Sequence, residues 1–535
     1  MDKAYEFSDW KLKENAFDPG RNQASEALFS LGNGWHGHRG IFEEHYSGPA
    51  LGGHFVSGIG LVPTSADKLE GERWLRASNW TGIEVEVDGR RIDLAKCEIL
   101  SFHRTLHFDK GYLEREVELR TDGGYELKIR AIRFCSYKRC ELGVIRYAVV
   151  PLNFSGTLTL TPYIGADAYG ETPGGLDNDW LEVESRVRRT HACLLTETRD
   201  HGDLVCTGMK FAIDKGGKAY DFNSYRLHRE KYVGCSVDMP CEEGKKIVLY
   251  KFAVILSSSR HGSEKLMKRC RKMVKKVAGK GYSALLKEQV ESWKTLWKQN
   301  GLEIGGDELL QNALRLSQFH LWQHWRASGE AGGLSRSGFS GNLAGGHIDW
   351  QAEVFGLPYM LTSRGSAGGS DMIHFRLNHL NLAQKRAEHL GYASGAAFYP
   401  ARTVRGGEAA SSWKEKLLDI HRQGWLVWAW TYHRHQCGHP DEWDDKSIEM
   451  LISSARFWAD RAHFSRAKNA YVILGVRGPD RFEMVADNHW LTNYLAAFCL
   501  RTACHFVEKW AKNFPDHFRE LEERLQFYPF TEAGE

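Results

Sequence analysis

Residues 263–300, SEKLMKRCRKMVKKVAGKGYSALLKEQVESWKTLWKQN, mark the point at which the sequence pattern of the chain changes. Apolar side chains recur here every three or four residues, which is the spacing of one face of a helix. Gly279 and Gly281 interrupt the run, and glycine weakens a helix interior. The stretch therefore predicts a helical linker that is broken near its middle.

The part of the chain before this linker predicts β-structure. Several segments alternate apolar and polar side chains, at least in part, as half-buried strands do: 81–87 (TGIEVEV), 125–130 (YELKIR), 142–149 (LGVIRYAV) and 158–163 (LTLTPY). Turn signals such as Val87-Asp88-Gly89 lie among them. Many short strands at this spacing predict an antiparallel β-sandwich over residues 1–262.

The part of the chain after the linker predicts helices. The helical spacing recurs in five segments, which are 309–323, 371–390, 414–435, 447–463 and 489–514. Strands followed by helices indicate two domains rather than an alternating fold. We therefore predict a helical domain over residues 301–535. The pattern fits an α/α-toroid, and it fits a solenoid or an irregular bundle equally.

The charges of the chain are balanced. The 535 residues include 71 basic and 68 acidic side chains, for a net charge of +3. Such a balance argues against a dedicated nucleic-acid-binding or membrane-surface protein. The strongly basic run at 265–276 (KLMKRCRKMVKK) falls on a predicted helix. It is typical of a solvated helix face, and a polyanion site is the alternative.

The remaining composition predicts a cytoplasmic protein that needs no metal. Eleven scattered cysteines form no CxxC pair, which favours reduced thiols. The charged N-terminus MDKAYEFSDWKLKEN has no apolar core like that of a secretory signal. The histidines form no HExxH or similar ligand spacing. Aromatic residues make up 12% of the chain, which suits a sugar-binding cleft as well as large cores.

Several motifs stand in a fixed order along the chain. They are 26–34 (EALFSLGNG), 349–358 (DWQAEVFGLP), 376–380 (RLNHL) with 383–391 (AQKRAEHLG), 395–400 (GAAFYP), His421 and 478–483 (GPDRFE). This series resembles the inverting α-glucoside phosphorylases and hydrolases of glycoside hydrolase family 65. The resemblance implies an N-terminal β-sandwich, a helical linker and an (α/α)6-toroid that holds the active site.

The resemblance also implies a reaction. In this family one carboxylic acid protonates the glycosidic oxygen, while phosphate or a base-activated water attacks the anomeric carbon from the opposite face. A phosphorylase needs no second catalytic carboxylate, because phosphate is itself the nucleophile. We therefore expect a small α-glucoside as substrate, inorganic phosphate as a possible co-substrate, and no cofactor.

Four positions depart from the family pattern. The general acid of the family's GPDE motif corresponds to Arg481, whose guanidinium stays protonated and cannot deliver a proton. The sugar-binding aspartate of the WDTE motif corresponds to Gln351, and a Trp-Glu pair corresponds to Ala401-Arg402. The resemblance places all four positions in one sugar pocket.

These departures leave several interpretations open. In the first interpretation, the general acid is displaced to Glu483 or Asp480. In the second, the chain is an inactive carbohydrate-binding homologue. In the third, Arg402 and Arg481 bind an anionic sugar. In a purely structural alternative, the two arginines pair with Glu353, Glu408 or Glu483. The substrate-binding residues that the resemblance implies are Trp350, Gln351, Glu353, Arg402, Glu408 and Arg481.

The end of the chain also departs from the family pattern. In the family, further helices follow the GPD motif and complete the toroid, whereas this chain ends at Glu535. We therefore expect an incomplete toroid. Either a homodimer or a second chain supplying the missing helices completes it, or the reading frame is truncated.

Overall fold

The computed structural model describes residues 4–61, 73–166, 179–325, 335, 338–340, 346–439, 444–480 and 485–525. The chain divides into two compact units. The first comprises the described residues within Met1–Leu61, Trp74–Arg326 and Ser337–Gly346, and the second those within Val62–Arg73, Ala327–Arg336 and His347–Glu535.

Strands dominate the chain up to residue 257. In chain order they are β1 Tyr5–Ser8, β2 Lys11–Glu14, β3 Leu31–Gly32, β4 His36–His38, β5 His54–Val56, β6 Gly60–Leu61, β7 Arg73–Trp74, β8 Ile83–Val87, β9 Arg90–Arg91, β10 Glu98–His107, β11 Tyr112–Arg120, β12 Glu126–Cys135, β13 Leu142–Pro151, β14 Gly156–Gly165, β15 Trp180–Arg188, β16 His191–Thr198, β17 Leu204–Lys215, β18 Lys218–Ala219, β19 Tyr225–Arg229, β20 Tyr232–Cys241 and β21 Ile247–Ser257.

Two antiparallel sheets form the predicted sandwich. The larger has the order β1-β2-β10-β11-β12-β13-β21-β17-β16-β15, and the smaller has the order β19-β20-β14-β8-β9. Strands β14 and β20 of the smaller sheet contact β16 of the larger one. The β-sandwich expected from alternating sequence patterns is therefore confirmed.

Strand β11 places a charged side chain at one of its alternating buried positions. Its buried positions are Leu113, Arg115, Val117 and Leu119, and the residues between them are partly exposed. Because side chains alternate between the two faces of a strand, Arg115 points into the same interior as the three apolar residues. A buried guanidinium needs a partner, and the fold supplies carboxylates for it.

Those carboxylates belong to what we call the sandwich ion network, which consists of Glu43, Glu44, Arg115 and Arg133. Arg115 Nη2 lies 2.7 Å from Glu43 and 2.6 Å from Glu44, while Arg133 Nη1 lies 2.6 Å from Glu43. Burial alone would raise the pKa of Glu43, but Arg133 and Arg115 outweigh it and hold that pKa below its usual value. Every charge in the network is therefore balanced inside the sandwich.

The helices of the first unit are α1 Asn22–Leu28, α2 Ser258–His261, α3 Leu266–Ala278, α4 Tyr282–Asn300 and α5 Glu308–His324. The predicted linker corresponds to α3 and α4, and the break between them falls at its two glycines. Helix α3 lies on the large sheet and buries Cys270 and Val274 there. A Cβ atom on Gly208 of β17 would lie 2.6 Å from the Cys270 sulfur, so the close packing of α3 on the sheet requires glycine here.

The second unit is mainly helical, as predicted. Its helices are α6 Leu357–Arg364, α7 Ser366–Asn378, α8 Leu380–His389, α9 Trp413–Leu418, α10 His421–Gln436, α11 Asp445–Arg461, α12 Trp490–Asn513 and α13 Pro515–Leu525. Two short two-stranded antiparallel sheets accompany them, formed by β22 Ile348–Asp349 with β23 Arg402–Thr403 and by β24 His463–Ser465 with β25 Ala470–Val472. A π-helical turn, Ala352–Gly356, leads into α6.

Helix α10 is central to the packing of this unit. It contacts α6, α7, α11 and α12. Trp430 of α10 packs edge-on against Phe506 of α12 at 4.9 Å between ring centroids. A Cβ atom on Gly424 would lie only 2.4 Å from the Cβ of Leu495, so a side chain there would force α10 and α12 apart.

Two predicted helices prove to be pairs of helices. The predicted segment 371–390 is interrupted at His379 between α7 and α8, and the segment 414–435 breaks between α9 and α10. At the second break, Arg422 donates from Nη1 to the carbonyl oxygens of Glu415 and Asp419, at 3.0 and 2.6 Å. These bonds take carbonyl groups that a continuous helix would use itself.

The finer architecture stays a prediction. The second unit begins at residue 347 in this region, and α5 belongs to the first unit, whereas the sequence predicts a boundary at residue 301. Neither that division nor the closure of the helices into an (α/α)6-toroid is tested by these elements.

Candidate functional site

A cavity of about 230 Å³ opens in the second unit. It is lined by Asp349, Trp350, Gln351, Arg402, Ser412, Glu415, Asp419, His421, Arg477, Gly478, Pro479 and Asp480. The two-stranded sheet of β22 and β23 supplies one side, because Asp349 pairs directly with Arg402 across it. The two halves of the broken helix 414–435 supply another, through the end of α9 and the start of α10.

Two ion pairs lie in the wall of this cavity, and we call them the cavity pairs. Arg402 Nε donates to Glu415 Oε1 at 2.5 Å. Arg477 donates from Nε and Nη2 to the two oxygens of Asp419, each at 2.6 Å. The second pair has the bidentate geometry that makes guanidinium–carboxylate contacts directional.

Burial gives Asp419 an unusual environment for a paired carboxylate. Removal from water raises the pKa of Asp419 above its ordinary value, although the hydrogen bonds and charge of Arg477 oppose this change. The pKa of Arg477 is raised in turn by its hydrogen bonds to Asp419. The pair therefore stays together while part of it faces the cavity.

The cavity also has an imidazole and an indole in contact. Trp350 meets His421 edge-on at 5.3 Å and stacks against Trp425 at 6.4 Å between ring centroids. Burial, followed by the charge of Arg422, lowers the pKa of His421 to about 3, so its ring is neutral. A half-buried indole beside neutral polar groups is a surface on which a sugar ring can stack.

Acidic groups prevail among the described residues of the lining. Four carboxylates, from Asp349, Glu415, Asp419 and Asp480, face two guanidinium groups, from Arg402 and Arg477. Since both guanidinium groups are already paired, this lining offers many hydrogen-bonding groups but little attraction for an anion.

Several residues predicted from the sequence meet in this cavity. Trp350, Gln351, Arg402 and Asp480 all line it. The predicted structural partner of Arg402 was wrong, because its guanidinium pairs with Glu415 of α9 rather than with Glu353 or Glu408. Arg481 and Glu483 lie outside the described residues.

Glu353 and Glu408 serve other contacts, and neither is among the residues lining the described cavity. Glu353 is buried and accepts a 2.6 Å hydrogen bond from Arg376 of α7. Glu408 accepts from the backbone N–H groups of Ala401 and Arg402, at 3.0 and 3.3 Å, and pairs with Arg386 at 2.6 Å. It therefore holds in place the backbone that carries Arg402.

Sequence reasoning missed four charged residues of the lining, which are Asp349, Glu415, Asp419 and Arg477. The first stands next to Trp350 and the last directly precedes the GPD motif, so the motifs themselves pointed to both. Glu415 and Asp419 lie four residues apart in a segment predicted as one helix, which gave them the appearance of an exposed helix face.

The described residues offer neither a cluster of metal ligands nor a membrane-spanning helix. Within those residues, no group of three or more His, Cys, Asp or Glu side chains could hold a metal ion. None of the helices described is both long and apolar enough to cross a membrane.

Comparison with known protein families matches both parts of the chain. Residues 12–296 match the N-terminal domain of glycosyl hydrolase family 65, and residues 315–526 match the central catalytic domain of the same family. The second match contains every residue that lines the cavity.

Individual proteins agree with the family match. The chain is 28% identical to maltose phosphorylase of Bacillus subtilis (strain 168), over 99% of this chain and 71% of that protein. It is 27% identical to α,α-trehalose phosphorylase of Thermoanaerobacter brockii, over 97% of this chain and 69% of that protein.

A solved structure supports the fold. A putative kojibiose phosphorylase from the human microbiome superposes with a TM-score of 0.86 at 21% identity, covering 98% of this chain and 68% of that one. Because the two family domains match in the order of the two structural units, the chain belongs to glycosyl hydrolase family 65.

Proposed function

We propose that the chain acts on a small α-glucoside as an inverting disaccharide phosphorylase. The glucosyl group of the substrate would bind in the cavity of the second unit. One observation carries this proposal. The 349–351 segment, Arg402, His421 and the 478–480 segment are far apart in the sequence, yet they line a single cavity. These are the segments that resemble family motifs, and three relatives of the chain are phosphorylases of maltose, trehalose and kojibiose.

The charge of the lining favours a neutral sugar over an anionic one. A substrate whose sugar ring carries an anionic group, such as a uronate, would need a guanidinium group in this lining that is free to bind it, and the phosphate co-substrate would need donors other than these two arginines. Arg402 and Arg477 are each held by a carboxylate. Sugar hydroxyl groups, in contrast, can donate to carboxylate oxygens and accept from N–H groups without breaking either pair.

Phosphate would attack the anomeric carbon in the proposed reaction, as the family resemblance implies. It needs no base, because it arrives as a charged nucleophile, and the reaction needs no cofactor. Attack opposite to the leaving oxygen inverts the anomeric carbon, so an α-glucoside would give β-glucose 1-phosphate.

The leaving oxygen still needs a proton, which Arg481 cannot supply. Within the described lining, Asp419 and Glu415 accept hydrogen bonds from guanidinium groups, and Asp349 accepts one from the backbone N–H of Gln351. We assign the proton donor to Asp480, which lines the cavity directly before Arg481, with Glu483 as the second candidate. Arg477 and Asp419 would then position the sugar.

Cytoplasmic location and a homodimer or second chain remain predictions alongside this function. The inactive carbohydrate-binding alternative is not favoured, because the maltose, trehalose and kojibiose relatives are phosphorylases. It is nevertheless the outcome that the following experiment can expose.

The experiment supplies the purified chain with inorganic phosphate and, separately, with maltose, kojibiose and trehalose. We expect β-glucose 1-phosphate from at least one disaccharide, and no product without phosphate. Glucose release without phosphate would instead identify a hydrolase. Absence of both products, with glucose still bound in a calorimeter, would support the inactive carbohydrate-binding protein.

Two variants then locate the proton donor. Asp480→Asn should lower kcat by about a hundredfold or more while KM changes little, since general acid catalysis contributes about that factor. Glu483→Gln is the matched control and should keep most of its activity. The reverse result would assign the donor to Glu483.

A further inference from the structure

A row of basic side chains crosses the edge of the large sheet in the first unit. Arg188 of β15 lies directly opposite His191 of β16, and His191 lies opposite Lys210 of β17. Residues paired in this way on antiparallel strands point to the same face. With strands about 4.8 Å apart, the row is about 10 Å long.

Helix α3 adds a second pair of cations to this row. It contacts β16 and β17 on the face that carries His191. Arg271 and Lys275 stand four residues apart on α3, so they lie on the same side of the helix. Four cations surround the imidazole closely enough that, after burial, they lower its pKa to about 4: Lys275, Arg271, Lys210 and Arg188.

These four cations are not balanced by acids. In the part of the chain that the structure describes, none of them pairs with a carboxylate, and the charges that most affect the pKa of His191 are all positive. Their neighbours differ in this respect, because Arg186 pairs with Glu184 and Arg189 pairs with Asp221. The unbalanced charge is therefore local to this row.

The packing of α3 keeps the cations together. Its opposite side is buried in the core through Cys270, Val274 and Val277. Because Gly208 leaves no space beneath Cys270, the helix cannot shift along the sheet without a clash. Mutual repulsion therefore cannot be relieved by moving the helix, and a bound anion would relieve it instead.

We propose that this basic surface, formed by Arg188, His191, Lys210, Arg271 and Lys275, binds a linear chain of phosphate groups such as inorganic polyphosphate. The two guanidinium forks and two ammonium groups suit repeated phosphate oxygens. The five residues include no Phe, Tyr or Trp, and the one ring among them, the His191 imidazole, is partly buried, which favours a phosphate chain over recognition of bases. This site does not depend on the proposed sugar cavity.

Binding of fluorescently labelled polyphosphate to the full chain tests the proposal. The double variant Arg271→Gln/Lys275→Gln should weaken binding about tenfold or more and reduce its salt dependence. The matched control is Arg269→Gln/Lys276→Gln, which removes the same charge from the other flank of the exposed side of α3. This control variant should weaken binding less than about twofold, since the two side chains that it removes would not contact the bound phosphate groups. Equal weakening by both double variants, or no binding by the parent, would overturn the site.

A second readout follows the His191 ring by NMR. Bound polyphosphate should raise the pKa of His191 by cancelling the neighbouring positive charges, and an unchanged pKa at saturation would place the ligand elsewhere. Single-stranded RNA with the same number of phosphates should bind no more tightly than polyphosphate. Tighter binding of RNA would overturn the assignment to a phosphate chain. Circular dichroism of each variant verifies that the fold is intact.

Discussion

The sandwich ion network and the cavity pairs are built from the same chemical groups but differ in their contact with water. The side chains of the sandwich network are at most 4% exposed. Those of the cavity pairs are 14% to 23% exposed. Breaking a fully buried pair leaves a charge with no access to water, whereas the groups of a cavity pair can bind a ligand or water. The comparison separates charges that maintain the fold from charges that are available for function.

The largest effect should come from breaking the sandwich network. Glu43→Gln removes the carboxylate that pairs with Arg133 and with Arg115. We expect the free energy of unfolding to fall by about 3–5 kcal/mol in urea titrations, because a buried charge loses its partner. The control Glu98→Gln breaks an exposed pair with Arg120 and should cost less than about 1 kcal/mol. Equal losses in both variants would contradict the distinction.

Acid should weaken the first unit before it affects the buried carboxylates. Burial lowers the pKa of His36 and of His320 to about 4. The unfolded chain binds protons at these residues below pH 6.5 while the folded chain does not, so stability falls between pH 6.5 and about 4. Each histidine should contribute about 1.4 kcal/mol per pH unit in that window.

Urea titrations at pH 6.5 and 4.5 measure this slope. His36→Gln should make the dependence of the unfolding free energy on pH shallower, because the unfolded chain then takes up one proton fewer. An unchanged slope would mean that His36 titrates normally in the folded chain.

Packing around the cavity should be sensitive to added volume. Gly424→Ala puts a methyl group against Leu495 at the α10–α12 contact, and we expect a loss of about 1–3 kcal/mol. The same substitution at Gly279 meets only ordinary contacts and should be neutral or slightly stabilising. Thermal unfolding of the two variants compares them directly, and similar midpoints would argue against the close helix contact.

The smallest effect on stability should come from a cavity pair. Arg477→Met should change the free energy of unfolding by about 1 kcal/mol or less, because the pair is partly exposed. Binding of glucose, measured by calorimetry, should nevertheless weaken about tenfold, the usual consequence of losing one charged hydrogen-bond partner. Arg139→Met breaks the similarly exposed Arg139–Glu288 pair and should leave sugar binding unchanged.

The sequence predicted much of the fold because its patterns are local. Alternation in 142–149 and helical spacing in 447–463 correspond to β13 and α11. The break between α9 and α10 was not predictable, because it depends on Arg422 reaching carbonyl groups that precede it by three to seven residues. That break turns Glu415 and Asp419 from an apparent helix face into cavity residues.

The candidate site was predictable only where motifs pointed to it. Trp350, Gln351 and Arg402 were found by resemblance, and they meet in one cavity. Glu353 and Glu408 were selected by the same resemblance but are engaged with Arg376 and Arg386. A motif identifies which residues are near a site, whereas only the packing determines which of them face it.

A crystal structure of the chain soaked with glucose tests the central claim most directly. We predict one glucose ring in the cavity, against Trp350 and within hydrogen-bond distance of the Arg477–Asp419 pair. An empty cavity at saturating glucose, or a sugar bound only elsewhere, would contradict the assignment of this cavity as the sugar site.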